Sequence, residues 1–247
     1  MKIKAAVIHN AGDRFNIEEV DLAEPRENEV LVKIVACGVC HTDESERSGR
    51  MTPFPVVLGH EGAGIIEKVG SGVTGFEVGD HVTMSYPSDC ECEMCKRRKN
   101  YYCIRGNELT FKGHFKDGYS PLSQNGERLN NFFGQSSFAE YAVCDINNVV
   151  KVDKSVPLKF IGPMGCGIET GAGAVLNHCK PEPGDTIVVF GTGGVGLSAI
   201  MAAKVAQCKT IIAVDVFDNR LEFAKELGAT HTINSKLETD VVAKVKE

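Results

Sequence analysis

The segment that most constrains the fold runs from Thr186 to Asp215. Thr186–Phe190 is a short continuous apolar run, as expected of a strand buried on both faces. It leads into Gly191-Thr192-Gly193-Gly194-Val195-Gly196, after which Leu197–Ala206 is an unbroken helix-forming stretch. Thr210–Val214 reads as a second buried strand, and Asn219–Leu227 as a second helix stopped by Gly228. Strand, helix, strand, helix is the pattern of a doubly wound parallel sheet. His231–Ile233 would open a third strand and Glu238–Glu247 a third helix, where the sequence stops.

The glycine turn fits G-x-G-x-x-G and lies where the chemistry requires, after a strand and opening a helix. Glycines permit a tight turn and a close backbone approach to pyrophosphate, whose charge the free N–H groups of the helix N-terminus meet. Gly191, Gly193, Gly194, Val195 and Gly196 are therefore read as dinucleotide-binding. A bare glycine fingerprint is weak; Asp215, about twenty residues on at the end of the next strand, gives it context. A carboxylate there accepts hydrogen bonds from the adenosine ribose 2′-hydroxyl and repels a 2′-phosphate, which predicts NAD over NADP. The bland alternative is a glycine-rich turn beside a surface aspartate.

The preceding part has another character, with the change after about Val156. Lys4–Ile8, Glu29–Val35, Gly64–Val69, His81–Ser85 and Phe138–Val143 mix Val, Ile and aromatics between turn residues. Gly70-Ser71-Gly72, Gly75 and Gly79-Asp80 are turn signals of a compact β-barrel. This half is expected to be all-β with few helices. The composition, 43% hydrophobic and 24% charged in 247 residues, is globular throughout. A net charge of −6 argues against a nucleic-acid surface, and the one dense basic run, Lys96 to Lys99, is four residues long. No stretch reaches the ~20 apolar residues that span a bilayer, and Met1 to Asn10 shows no signal-peptide pattern. A cytoplasmic location with no membrane partner is the expectation.

Ten cysteines without a secretory signal point to metal or catalysis rather than disulfides. Cys92-x-x-Cys95 is followed by seven residues and then Cys103, with Cys90 just before. Four thiolates from one short charged loop suit a closed tetrahedral structural zinc site. The usual spacing would put the first ligand at Asp89; Cys90 is preferred here because structural zinc favours sulfur. A catalytic zinc takes three protein ligands and keeps an open position. Candidates are scattered: Cys40, His60 with Glu61, and Cys166 in Gly165-Cys166-Gly167. Singly, each has a bland explanation, since cysteine is often a small buried hydrophobe.

Together these motifs resemble the zinc-containing medium-chain alcohol dehydrogenases, in order and along the whole chain. They are Cys40-His41-Thr42-Asp43, Gly59-His60-Glu61-Gly62-Ala63-Gly64, the cysteine lobe, Gly165-Cys166-Gly167 and the glycine turn. Gly134-Gln135-Ser136-Ser137-Phe138-Ala139 and the run from Gly165 to Ala174 look most like aryl-alcohol (benzyl-alcohol) dehydrogenases. They also resemble the glutathione-dependent formaldehyde dehydrogenase branch. The resemblance implies an α/β plus β architecture. A GroES-like β-barrel catalytic domain would span 1–160, with its zinc lobe at about 88–105. An incomplete Rossmann domain would span 161–247, with the active site between the two. It also implies roles: Cys40, His60 and Cys166 on the catalytic zinc, Glu61 as an adjacent carboxylate, and Asp43 orienting His60. Thr42 would bind the alcohol oxygen and pass on its proton. His41 would lie near the pyrophosphate, Thr170 near the nicotinamide and Arg220 near the adenosine ribose. Ser45 stands where many members have a relay histidine.

The implied activity is zinc-dependent hydride transfer between a primary, aromatic alcohol and NAD, in a homo-dimer or homo-tetramer when full length. Alternatives within the superfamily are glutathione-dependent formaldehyde or polyol dehydrogenases. From other classes come a zinc- and nucleotide-binding fragment without turnover and, against the acidic balance, a zinc-finger nucleic-acid reader. A Rossmann sheet has about six strands, of which two or three are expected here, so the sequence is read as stopping inside that domain.

Overall fold

A computed structural model describes residues Met1–Glu247, and the chain divides into two compact units, Met1–Cys166 and Gly167–Glu247. No helix is long and apolar enough to cross a membrane.

The first unit holds two five-stranded antiparallel sheets. One is ordered β4 (Val56–Val57), β1 (Lys2–Ile8), β2 (Asn16–Leu22), β7 (Leu122–Gln124) and β8 (Glu127–Arg128). The other is ordered β10 (Val149–Lys151), β6 (His81–Met84), β5 (Gly62–Val69), β3 (Glu29–Cys37) and β9 (Tyr141–Asp145). The alternation of β1 explains its place: Ile3, Ala5 and Val7 point into a core that also takes Val20 and Leu22 of β2, and Leu31 and Val143 of the second sheet. The first part of β3, Val30 to Val32, is apolar on both sides because it is buried on both. Leu31 enters that shared core, while Val30 and Val32 pack with Ile66, Val82, Met84 and Cys144 on the opposite face.

Two details differ from the sequence reading. β2 went unrecognised because Asn16-Ile17-Glu18-Glu19-Val20-Asp21-Leu22 is mostly polar, with Ile17 71% exposed. Only Val20 and Leu22 reach the core, and pairing with β1, Lys2↔Asp21 to Val7↔Asn16, makes the strand. The run Phe138–Val143 becomes strand only from Tyr141. Phe138 instead donates its amide to the Leu58 carbonyl at 3.0 Å and sets its ring edge-on to Phe15. The helices of this unit are short, as expected: α1 (His41–Arg47), α2 (Glu93–Lys96) and α3 (Gly106–Phe111).

The second unit carries a three-stranded parallel sheet, β11 (Thr186–Phe190), β12 (Thr210–Asp215) and β13 (His231–Asn234), in that order. The strands alternate with α5 (Gly194–Val205) and α6 (Asp218–Leu227), and α7 (Val241–Lys246) ends the chain. The alanines Ala199, Ala202 and Ala203 let α5 lie close on Val189, Ile211 and Ala213. The other sheet face presents Ile212, Val214 and Ile233, with Val241 and Val245 of α7 packed against them. Helices on both faces of a parallel sheet are the doubly wound arrangement. α4 (Gly167–Gly173) and the π-helical turn Ala174–Cys179 precede this sheet and had no counterpart in the sequence reading. Four glycines between Gly165 and Gly173 suppress the usual helix signal.

Candidate metal and dinucleotide sites

Ligand atoms of Cys40, His60, Glu61 and Cys166 lie within 4.8 Å of one another in the first unit. Local rules set each one. Cys40 is the N-cap of α1, its sulfur accepting from the Thr42 amide at 3.5 Å, and the Thr42 hydroxyl lies 3.6 Å from that sulfur. His60 and Glu61 follow Gly59, whose φ of +93° turns the chain out of β4 toward β5. A side chain at Gly59 would also run into Phe138. Cys166 follows the 3₁₀ turn Gly162–Gly165, where Gly165 lies against the Met84 carbonyl.

Asp43 holds these pieces in register. It is 1% exposed; Oδ1 accepts from His60 Nδ1 and the Gly59 amide, both at 3.0 Å, and Oδ2 from the Cys40 amide at 3.1 Å. With Nδ1–H donated to Asp43, the second ring nitrogen carries the lone pair. That atom, Nε2, is buried without any hydrogen-bond partner. A buried unpaired imidazole nitrogen costs on the order of 1–3 kcal/mol, and it stands among two sulfurs and a carboxylate. The donor set N, S, S with an adjacent carboxylate fits a divalent zinc-like ion.

The electrostatics agree. Burial would lower the basicity of His60, yet the hydrogen bond to Asp43 and the charges of Asp43 and Cys166 raise it to about 10. A cation is wanted at this place, and a metal would supply it in the proton's stead. The two sulfurs differ: burial opposes ionisation at Cys40, but the Thr42 amide and hydroxyl and His60 bring it below its ordinary value. Burial pushes the Cys166 thiol up against the pull of His60.

Around the cluster lie residues to which the sequence reading gave no role. Gln135, 1% exposed, donates to the His60 carbonyl at 3.0 Å and accepts from the Gly62 amide at 3.2 Å. Phe133 stacks on the His60 ring at 4.5 Å, Phe132 meets it edge-on at 5.6 Å, and Tyr86 lies 5.2 Å from Phe133. The Tyr86 hydroxyl is 3.7 Å from the Cys166 sulfur. Gln135 was visible only as part of a motif; the rings, tens of residues away along the chain, gave no local signal. Of the other expected residues in this unit, Ser45 is half-buried on α1 and His41 is exposed at its start.

The lobe differs from its expectation. The second cluster is Asp89, Cys92, Cys95 and Cys103, again within 4.8 Å, and Cys90 is not in it. Cys90 is exposed in a left-handed conformation, φ 58°, with its sulfur turned back on the Ser88 hydroxyl at 3.3 Å. Asp89 is buried; its Oδ1 accepts from the amides of Glu91 and Cys92 at 2.9 and 3.0 Å, and its own amide donates to the Cys103 sulfur at 3.4 Å. The turn at Cys90 thus leaves Asp89, and not Cys90, beside the three sulfurs. The Cys95 thiol is pushed up, first by burial and then by Cys92, Asp89 and Cys103 around it.

In the second unit the glycine turn opens α5, whose N-cap Gly193 has no side-chain cap bond. No atom stands within 4 Å of where a Cβ at Gly193 or Gly194 would lie, so the helix N-terminus is open to an anion. Gly191 has φ +88°, and a Cβ at Gly196 would strike the Gly191 carbonyl. Asp215 is 7% exposed and already engaged: Oδ2 accepts from the Thr192 amide and hydroxyl at 2.6 and 2.8 Å. Oδ1 accepts from the amides of Val216 and Phe217 at 2.7 and 3.1 Å. Thr192, an unassigned x of the motif, thus links the turn to the end of β12. Thr170 is exposed on α4, and exposed Arg220 lays its guanidinium 4.9 Å over the Phe217 ring.

Residues 26–154 match the family described as Alcohol dehydrogenase GroES-like domain, and residues 194–247 that described as Zinc-binding dehydrogenase. The chain belongs to the zinc-containing medium-chain alcohol dehydrogenases. It is 46% identical to alcohol dehydrogenase class-3 of Caenorhabditis elegans over 236 residues, 94% of this chain and 62% of that protein. It is 43% identical to an S-(hydroxymethyl)glutathione dehydrogenase of Synechocystis sp., over 96% of this chain and 65% of the relative. The crystal structure of benzyl alcohol dehydrogenase from Acinetobacter calcoaceticus superposes with a TM-score of 0.95 at 47% identity, covering 100% of this chain and 67% of that one. The chain thus spans less than two thirds of the length of the curated relatives it matches.

Proposed function

We propose that this chain carries the metal-binding and dinucleotide-binding parts of an NAD-dependent zinc alcohol dehydrogenase acting on a primary, aromatic alcohol and its aldehyde. The observation that carries the reading is the buried, partnerless Nε2 of His60 among Cys40, Cys166 and Glu61. Cys40, His60 and Cys166 would hold the catalytic zinc; when bound, zinc supplies a Lewis acid that eases loss of the alcohol proton, and NAD supplies the hydride acceptor. Asp43 fixes the tautomer that leaves Nε2 free to bind. Thr42, beside the Cys40 sulfur, offers a hydroxyl that accepts the substrate's proton and hands it outward, and half-buried Ser45 on the same helix is the next group. Glu61 adds a carboxylate close enough to exchange with a metal-bound ligand.

The open N-terminus of α5 would take the pyrophosphate, with Thr170 and Arg220 of the same unit as further contacts along the cofactor. The Asp215 carboxylate keeps its charge at the end of β12, which favours a free ribose over a 2′-phosphate. The likeness to benzyl alcohol dehydrogenase from Acinetobacter calcoaceticus, 47% identical, supports an aromatic substrate. The 43% likeness to an S-(hydroxymethyl)glutathione dehydrogenase supports a second reading, the thiol adduct of formaldehyde as substrate.

The test is NAD reduction with benzylic alcohols, aliphatic alcohols and formaldehyde plus glutathione, together with zinc analysis. Benzylic alcohols leading the panel supports the first reading and the glutathione adduct leading supports the second. No zinc in the folded protein overturns both.

A further inference from the structure

The lobe departs from an all-thiolate design at one place, and the departure is built in detail. Asp89 reaches the three sulfurs of Cys92, Cys95 and Cys103, while the neighbouring thiol of Cys90 faces solvent. A carboxylate side chain is one bond longer than a thiol, and its oxygen binds zinc at about 2.0–2.2 Å against about 2.3 Å for sulfur. An aspartate can therefore fill a corner of the tetrahedron from a backbone position that would otherwise carry cysteine.

We infer that the lobe holds its metal through three thiolates and the Asp89 carboxylate, leaving Cys90 as a free, reactive surface thiol. This rests on the reading of the lobe as a zinc site. Both backbone hydrogen bonds to Asp89 fall on Oδ1, which leaves Oδ2 for the metal. Those bonds also fix the side chain before metal arrives, so little rotamer freedom is lost on binding. Three thiolates and one carboxylate carry the same formal charge as four thiolates, so the lobe keeps its electrostatic balance around a divalent ion. What changes is chemistry at the fourth corner. A carboxylate cannot be oxidised, and Cys90 can be alkylated or oxidised without loss of a ligand.

Four variants and one modification separate the possibilities. Zinc per folded chain and its rate of loss to a chelator are measured for the parent and for Cys90→Ser, Asp89→Asn, Asp89→Cys and Cys92→Ser. Cys90→Ser keeps the parent's zinc. Asp89→Asn keeps the oxygen that accepts the two amides but weakens the metal bond, and its lobe zinc leaves on the order of tenfold faster or more. Asp89→Cys retains the zinc. In the zinc-loaded parent, iodoacetamide followed by peptide mapping finds Cys90 alkylated and Cys92, Cys95 and Cys103 protected. Loss of one equivalent in Cys90→Ser, or zinc held by Asp89→Asn as firmly as by the parent, overturns the inference while leaving the lobe a zinc site. Unchanged zinc in Cys92→Ser overturns the lobe reading itself.

Discussion

At the scale of single residues, Asp43 and Asp215 have the most to do, and each does it through hydrogen bonds to named atoms. Asp43 binds nothing itself; it sets the proton on His60 Nδ1 and pins the Cys40 and Gly59 amides. Asp43→Asn is expected to weaken catalytic-site zinc by roughly 10–100-fold, in the range seen for orienting partners of metal-bound imidazoles; competition with a chromogenic chelator reads it. Asp215 is a second case, with a pH signature. Burial alone would raise its carboxyl, but the Thr192 amide and hydroxyl and the amides of Val216 and Phe217 hold it below the ordinary 3.8. A depressed native value means the stabilisation is complete above the unfolded value, and it fades as pH falls through the native one. Asp215→Ala is expected to cost about 2–3 kcal/mol at neutral pH and to flatten the acid side of the stability curve. Urea titrations at pH 7 and near pH 3 would show the gap between parent and variant closing. A gap that widens with acid contradicts the assignment.

At the scale of elements, the glycine turn and α5 form one device. Gly196 lies so close to the Gly191 carbonyl that a methyl group there must push strand and helix apart. Gly196→Ala is expected to weaken NAD binding by more than about tenfold, because the helix amides no longer reach the pyrophosphate in register; fluorescence titration with NADH measures it. A Gly193→Ala exchange, whose Cβ meets no atom within 4 Å, is expected to leave the fold unchanged and to act on the nucleotide alone.

Elements with strong periodic or apolar patterns, β11, β12, α5 and α6, were legible in the sequence to within a few residues. β2 and α4 were not, the first because charged residues fill an exposed face and the second because glycines hide the helix pattern. The first cluster was legible as a set of residue types but not as a place: Cys40, His60 and Cys166 converge only through turns at Gly59 and Gly165. The contacts of Gln135 and Phe133 with His60 could not be read, since only tertiary packing sets them there. In the lobe the sequence offered two adjacent candidates, and the backbone conformation at Cys90 turns its thiol away from the other three sulfurs.

At the scale of the molecule, labour is divided between the units. Both clusters of metal-ligating side chains lie within 1–166, whereas the glycine turn and Asp215 lie within 167–247. Metal removal is therefore expected to lower the melting of the first unit and to leave that of the second in place, because both candidate metal clusters lie in the first. Differential scanning calorimetry with and without chelator resolves the two. Equal shifts in both units would contradict this division.

Two sulfurs and one imidazole, those of Cys40, Cys166 and His60, are predicted to meet on a single ion. Zinc analysis of the folded chain beside Cys40→Ser, His60→Ala and Cys166→Ser tests it most directly. Each variant is predicted to lose the same one equivalent while the lobe keeps its own. If all three hold as much zinc as the parent, with unchanged resistance to chelator, the cluster is not a metal site.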